Sequence, residues 1–147
     1  MKKIGLIGCG NWGKYILRDL VSLDCQVSVV ARSEKALQNA AQYGAKAVFD
    51  SVENLPIQEG YVICTPAITH FDIIQRLTAK APKTPIFVEK PLCINVLEAQ
   101  QLSQQLPDTL FVMDKWRYHR GILALKELIH RGFSTKMGVF GAFAVSL

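Results

Sequence analysis

Gly8, Gly10 and Gly13 stand in the order G-x-G-x-x-G within Ile4-Gly5-Leu6-Ile7-Gly8-Cys9-Gly10-Asn11-Trp12-Gly13. That spacing suits a backbone that must approach a phosphate. An apolar run precedes the motif and an amphipathic run, Lys14 to Leu23, follows it. In a strand–turn–helix unit the first glycine permits a tight turn. The second leaves the backbone bare where a pyrophosphate arrives, and the third lets the helix pack closely on the strand. The phosphates then rest on free N–H groups at the positive end of the helix dipole. A pyrophosphate is therefore expected over Gly10, Asn11 and Trp12. Glycines in this order also suit a turn that binds nothing, so the surrounding elements must decide.

Those elements alternate nearly to the end of the chain. Strands are expected at Lys2 to Ile7, Cys25 to Val30, Lys46 to Phe49, Gly60 to Cys64, Pro85 to Glu89 and Leu110 to Met113. Helices are expected at Gly13 to Leu23, Glu34 to Tyr43, His70 to Lys80, Asn95 to Leu106 and Arg120 to Arg131. Strand runs rich in Val and Ile, with no polar alternation, imply burial on both faces of a parallel sheet. Repeated strand–helix alternation then predicts a doubly wound α/β domain, a Rossmann fold, with strand order 3-2-1-4-5-6. Ser33 is placed to cap the second helix, and Gly44 to end it. Asn95 and Glu98 form a capping arrangement for the fourth helix.

Composition narrows the class. The 147 residues are half hydrophobic and one fifth charged, which suits one globular domain with a real core. No run approaches the roughly 20 apolar residues of a membrane span. Met1-Lys2-Lys3 leads directly into the first strand and leaves no room for a cleavable leader, so a cytoplasmic protein is expected. Cys9, Cys25, Cys64 and Cys93 lack metal-ligand spacing and read as small apolar residues, so no metal site is expected. The net charge of +5 is dispersed among neighbouring acids rather than striped, which argues against nucleic acid.

A second signal concerns which dinucleotide binds. A turn that selects NAD places an acid at the end of strand two, where it binds the ribose hydroxyls. Here that position carries Ala31-Arg32-Ser33. An arginine and a hydroxyl suit a 2′-phosphate, so NADP is expected, with NAD the alternative if Arg32 faces solvent.

Three further motifs carry a family resemblance: Cys64-Thr65-Pro66-Ala67-Ile68-Thr69-His70, Phe87-Val88-Glu89-Lys90-Pro91 and Trp116-Arg117-Tyr118-His119. With the glycine turn, they make residues 1 to about 135 similar to the N-terminal half of the glucose–fructose oxidoreductase / inositol dehydrogenase (Gfo/Idh/MocA) family. In a doubly wound sheet ligands sit beyond the carboxyl ends of the strands, which brings Gly8, Arg32, Thr65 and Glu89 to one crevice. Pro66 and Lys90 adjoin it. The resemblance implies that Lys90 is catalytic, binding a substrate hydroxyl near the nicotinamide and favouring the alkoxide as hydride leaves. It also implies a cis Lys90–Pro91 bond. His70 opens a helix, where it either reaches the cofactor or simply packs.

The implied reaction is hydride transfer between a nicotinamide cofactor and a small sugar, polyol or related substrate. Relatives run more than twice this length, and the resemblance implies that a second domain completes their catalytic set. This chain is therefore expected to be weakly active or inactive alone. The alternatives are a regulatory nucleotide-binding protein, or a structural dimer with a vestigial site. The expected division is a dinucleotide-binding domain over residues 1–135 and an apolar tail over 136–147. From Met137 onward the tail carries no charge, and it would start a second domain or pair with a sheet edge or a second copy of the chain.

Overall fold

The computed structural model describes residues 1–114 and 119–130. The chain forms two compact units, Met1–Met113 and Asp114–Leu147. Trp116, Arg117, Tyr118 and the tail at 136–147, with its expected dimer contact, lie outside the described residues.

The first unit runs β1 (Lys3–Ile7), α1 (Gly13–Ser22), β2 (Gln26–Val30), α2 (Glu34–Gln42), β3 (Ala47–Phe49) and β4 (Gly60–Ile63). A 3-10 turn (Ala67–Thr69), α3 (His70–Lys80), β5 (Ile86–Glu89), α4 (Val96–Gln105) and β6 (Leu110–Met113) follow. Every expected element forms. The six strands lie in the order β3-β2-β1-β4-β5-β6, all parallel, as the α/β reading required.

Successive strand residues point to opposite faces, and in β1 both faces are buried. Ile7 joins Ile63, Ile74, Leu77, Val88 and Leu102 beneath α3 and α4. Leu6 joins Leu17, Val27, Val29, Ala36 and Ala40 beneath α1 and α2. Small residues at Ala36 and Ala40 let α2 lie close to the sheet. Its start is fixed by Ser33, whose Oγ accepts from the Ala36 N–H at 3.3 Å, and its end by Gly44 at φ 86°. Asn95 likewise caps α4 by accepting from the Leu97 N–H at 2.9 Å.

Double burial stops short of the last two strands. Phe87 of β5 and Phe111 of β6 stack at 5.1 Å between ring centroids, yet each is 41% exposed. They lie on the face that α1 and α2 cover farther along the sheet, where the buried residues of that cluster extend no farther than Val62 of β4. In the second unit α5 (Arg120–His130) is the described element, and none of its residues is buried.

Candidate dinucleotide site

Chain connections leave the sheet in opposite directions after β1 and β4, which opens a crevice at their carboxyl ends. The crevice has a volume of about 390 Å³. Gly8, Cys9 and Gly10 line one wall, with Arg32 and Ser33 at the end of β2. Thr65, Pro66 and Thr69 line the other, with Asp72 and Arg76 from α3.

The three glycines of the turn answer to three different demands. Gly8 has φ 91°, and a Cβ there would lie 2.9 Å from Thr65 Cγ2. Its N–H donates to the Val30 carbonyl at 2.9 Å, tying the turn to β2. A Cβ at Gly13 would lie 2.3 Å from the Gly8 carbonyl oxygen, so α1 packs where only hydrogen fits. Gly10 differs, because a Cβ there would meet nothing within 4 Å. The fold leaves that space open. Beside it α1 starts with no side-chain cap and no acid in its first turn, so nothing in the helix offsets its positive end.

The second wall is held by side chains. His70 is 1% exposed. Its Nδ1 lies 3.0 Å from the Pro91 carbonyl oxygen and 3.2 Å from that of Leu92, and its Nε2 lies 2.9 Å from that of Thr65. These contacts join the loops after β4 and β5 through the ring. The Thr69 hydroxyl donates to the Pro66 carbonyl at 2.7 Å and lies 2.8 Å from the Thr65 hydroxyl. The Lys90–Pro91 bond is cis, and Lys90 is exposed.

Trp12 joins the two walls. Its indole N–H donates to Glu89 Oε1 at 2.7 Å, and its ring meets Tyr15 edge-on at 6.3 Å. Gly8, Gly10, Arg32, Ser33, Thr65 and Pro66 thus share one cavity lining, while Gly13 and His70 stand behind it. Asn11, Trp12, Glu89 and Lys90 lie outside that lining, with Glu89 reached through Trp12.

The family model of the Gfo/Idh/MocA oxidoreductases, described as an oxidoreductase family with an NAD-binding Rossmann fold, matches residues 2–109. The chain belongs to this family. It is 30% identical over 137 residues to an inositol 2-dehydrogenase of Rhizobium meliloti, spanning 88% of this chain and 41% of that protein. Among solved structures it is similar to myo-inositol dehydrogenase from Lactobacillus casei in complex with NAD(H) and myo-inositol. The TM-score there is 0.79 at 22% identity, over 90% of this chain and 42% of that one. UDP-N-acetylglucosamine 3-dehydrogenase from Acidithiobacillus ferrooxidans aligns at TM-score 0.72 and 24% identity, over 91% and 42%. These structural likenesses establish the fold. The chain spans about two fifths of the length of the relatives it matches.

The charged groups of this Gfo/Idh/MocA crevice gather at the Arg32 end. Arg76 donates through Nε to Glu53 at 2.7 Å and through Nη1 to Asp72 at 3.2 Å, and pairs again with Glu53 through Nη2. Glu53 is held below the usual carboxylate range chiefly by that guanidinium. Asp50 is held low chiefly by the Asn54 amide, which donates to it at 2.7 Å, with Arg32 a minor cause. At the root of the turn the thiols behave as apolar groups. Burial, then the Glu89 charge, then Cys9 push Cys64 up to about 12, and burial raises Cys9. Among the described residues no helix is long and apolar enough to cross a membrane.

Sequence reasoning did not find Asn39, Thr69, Asp72 or Arg76. Thr69 lies inside the T-P-x-x-x-H motif, and a helical reading of α3 puts Asp72 and Arg76 on one face. Nothing local to Asn39 signals its role. It is 7% exposed, and its Nδ2 donates to the carbonyls of Cys9 at 2.8 Å and Gly10 at 3.3 Å.

Proposed function

We propose that this chain is the cofactor-binding part of an oxidoreductase, with a nicotinamide dinucleotide lying across the crevice and its pyrophosphate over Gly10, Asn11 and Trp12. One observation carries the proposal. Gly8 and Gly13 are demanded by the fold, whereas Gly10 guards a space that no protein atom uses. A bare backbone beside an uncapped helix start suits a phosphate.

The reaction we assign is hydride transfer between the nicotinamide and a hydroxyl-bearing carbon of a polyol or sugar. Support comes from the relatives, which include an inositol 2-dehydrogenase and a myo-inositol dehydrogenase. Lys90 would donate a charge-assisted hydrogen bond to the substrate hydroxyl and stabilise the alkoxide. Glu89 and Thr65 would border the cofactor on that side. His70 would contribute by holding the loops, since its ring nitrogens already face carbonyls. We assign NADP as the preferred dinucleotide, because Arg32 and Ser33 occupy the end of β2 and line the crevice. Ser33 caps α2 as an acceptor, which leaves its O–H free to donate to a 2′-phosphate. For the 147-residue chain alone we expect binding with little or no turnover. Proton transfer needs a second group of suitable pKa within hydrogen-bond reach of the substrate, and His70 is committed elsewhere.

Titration of NADPH and NADH by their own fluorescence tests the reading. Wild type should bind NADPH more tightly. Gly10→Val should remove binding of both while circular dichroism stays unchanged, and Arg32→Asp should reverse the preference. Equal affinity in Gly10→Val would reduce the turn to a structural role. Steady-state oxidation of a panel of inositols and sugars, abolished by Lys90→Ala, would overturn the expectation of binding without turnover.

A further inference from the structure

The openness that suits Gly10 to a phosphate also leaves the turn poorly held. Gly10 has no side-chain contact to make, and glycine loses more conformational freedom on folding than any other residue. The peptide units on either side of it can rotate unless something outside the turn fixes them. A phosphate cradle nevertheless needs its N–H groups aimed before the ligand arrives.

We propose that Asn39 is the positioning residue that aims these donors, an inference that rests on the dinucleotide reading above. A trans peptide is planar, so the C=O of one residue and the N–H of the next point in opposite directions. Asn39 Nδ2 holds the Cys9 carbonyl at 2.8 Å, and that bond turns the Gly10 N–H away from α2. The same amide holds the Gly10 carbonyl at 3.3 Å, which turns the Asn11 N–H away likewise. The Lys14 N–H reaches the Gly10 carbonyl at 3.3 Å from the other side, as the start of α1. One buried amide therefore sets two donors that flank the open space at Gly10.

The position of Asn39 is itself well determined. It lies on α2, whose start is capped by Ser33 and whose Ala36 and Ala40 are packed in the core beneath it. An amide that is 7% exposed has little water to fall back on, so its bonds to the turn are strong constraints. The same helix begins beside Arg32 and Ser33 at the crevice end. Thus α2 links the part of the site assigned to the ribose with the part assigned to the pyrophosphate.

The test compares wild type, Asn39→Leu and Ile74→Val, each titrated with whichever of NADPH and NADH the wild type binds more tightly. Leucine keeps the volume and removes the donor, and cofactor affinity should fall about tenfold, the effect expected of losing buried hydrogen bonds. Ile74→Val trims the opposite core and should lower the melting temperature without moving affinity. In 15N-labelled wild type the cofactor should shift the amides of Gly10 and Asn11, and Asn39→Leu should remove that response. Unchanged affinity in a folded Asn39→Leu would overturn the inference and leave the proposed function standing. If Asn39→Leu does not fold, the wild-type spectra decide, because Gly10 and Asn11 amides that ignore the cofactor also overturn it. A wild type that binds neither dinucleotide removes the proposed function and this inference with it.

Discussion

The two walls of the crevice solve one problem by opposite means. The glycine wall is nearly bare: its contacts come from backbone, from the close packing of Gly13 on Gly8, and from one amide on α2. The facing wall is held by side chains, with the His70 ring gathering three carbonyls from two loops and Thr69 closing the turn after Pro66. A wall that must admit a ligand cannot fill itself with side chains, so its stiffness is supplied from behind. A wall that presents loops can be stitched directly. The contrast explains why Gly10 tolerates space around it and His70 does not.

Substitutions can separate the two designs, the largest effect first. Gly13→Val should cost about 4 kcal/mol or more and leave little folded protein, since even a Cβ would stand 2.3 Å from the Gly8 carbonyl oxygen. Chemical denaturation measures this, and a stable variant would show that α1 can shift away from β1. His70→Ala should cost about 3 kcal/mol, combining a cavity with loss of the ring's N–H donation to the loop carbonyls. Its loss should spare Gly8 to Gly13, so amide shifts there should change less than those at Thr65 and Leu92. Similar shifts at both walls would break the comparison.

A pH titration probes the root of the second wall. Cys64 is raised from 9.0 to about 12 in the fold, so above pH 9 the unfolded chain loses a proton that the folded chain keeps. Stability should then fall as pH rises from about 9 towards 12, by about 1 kcal/mol at pH 10. Cys64→Ala should flatten that slope, and iodoacetamide should leave Cys64 unmodified in the folded chain. The smallest effect is expected at the link between the walls. Trp12→Phe removes the indole donor to Glu89 on a half-exposed surface and should cost about 0.5 kcal/mol. A drop of several kcal/mol would make the two walls one cooperative unit.

Much of the fold was legible because its signals are local. Continuous Val and Ile runs announced a parallel sheet, and Ser33 and Asn95 announced helix starts, since a cap acts on an N–H two or three residues away. The glycine spacing marked the turn for the same reason. The buried-on-both-faces rule failed at Phe87 and Phe111, where strand composition says nothing about how far α1 and α2 extend across the sheet.

By itself, then, the sequence determined the order of elements, the turn, and the set of residues brought to the carboxyl ends of the strands. Tertiary structure decided which of them face the crevice and which stand behind it. Asn39 acts on Cys9 across 30 residues, His70 on Pro91 across 21, and Trp12 on Glu89 across 77. No local propensity encodes such pairs. A hydrogen bond is satisfied only where packing delivers its donor and acceptor to within about 3 Å, and that distance is set by the whole sheet.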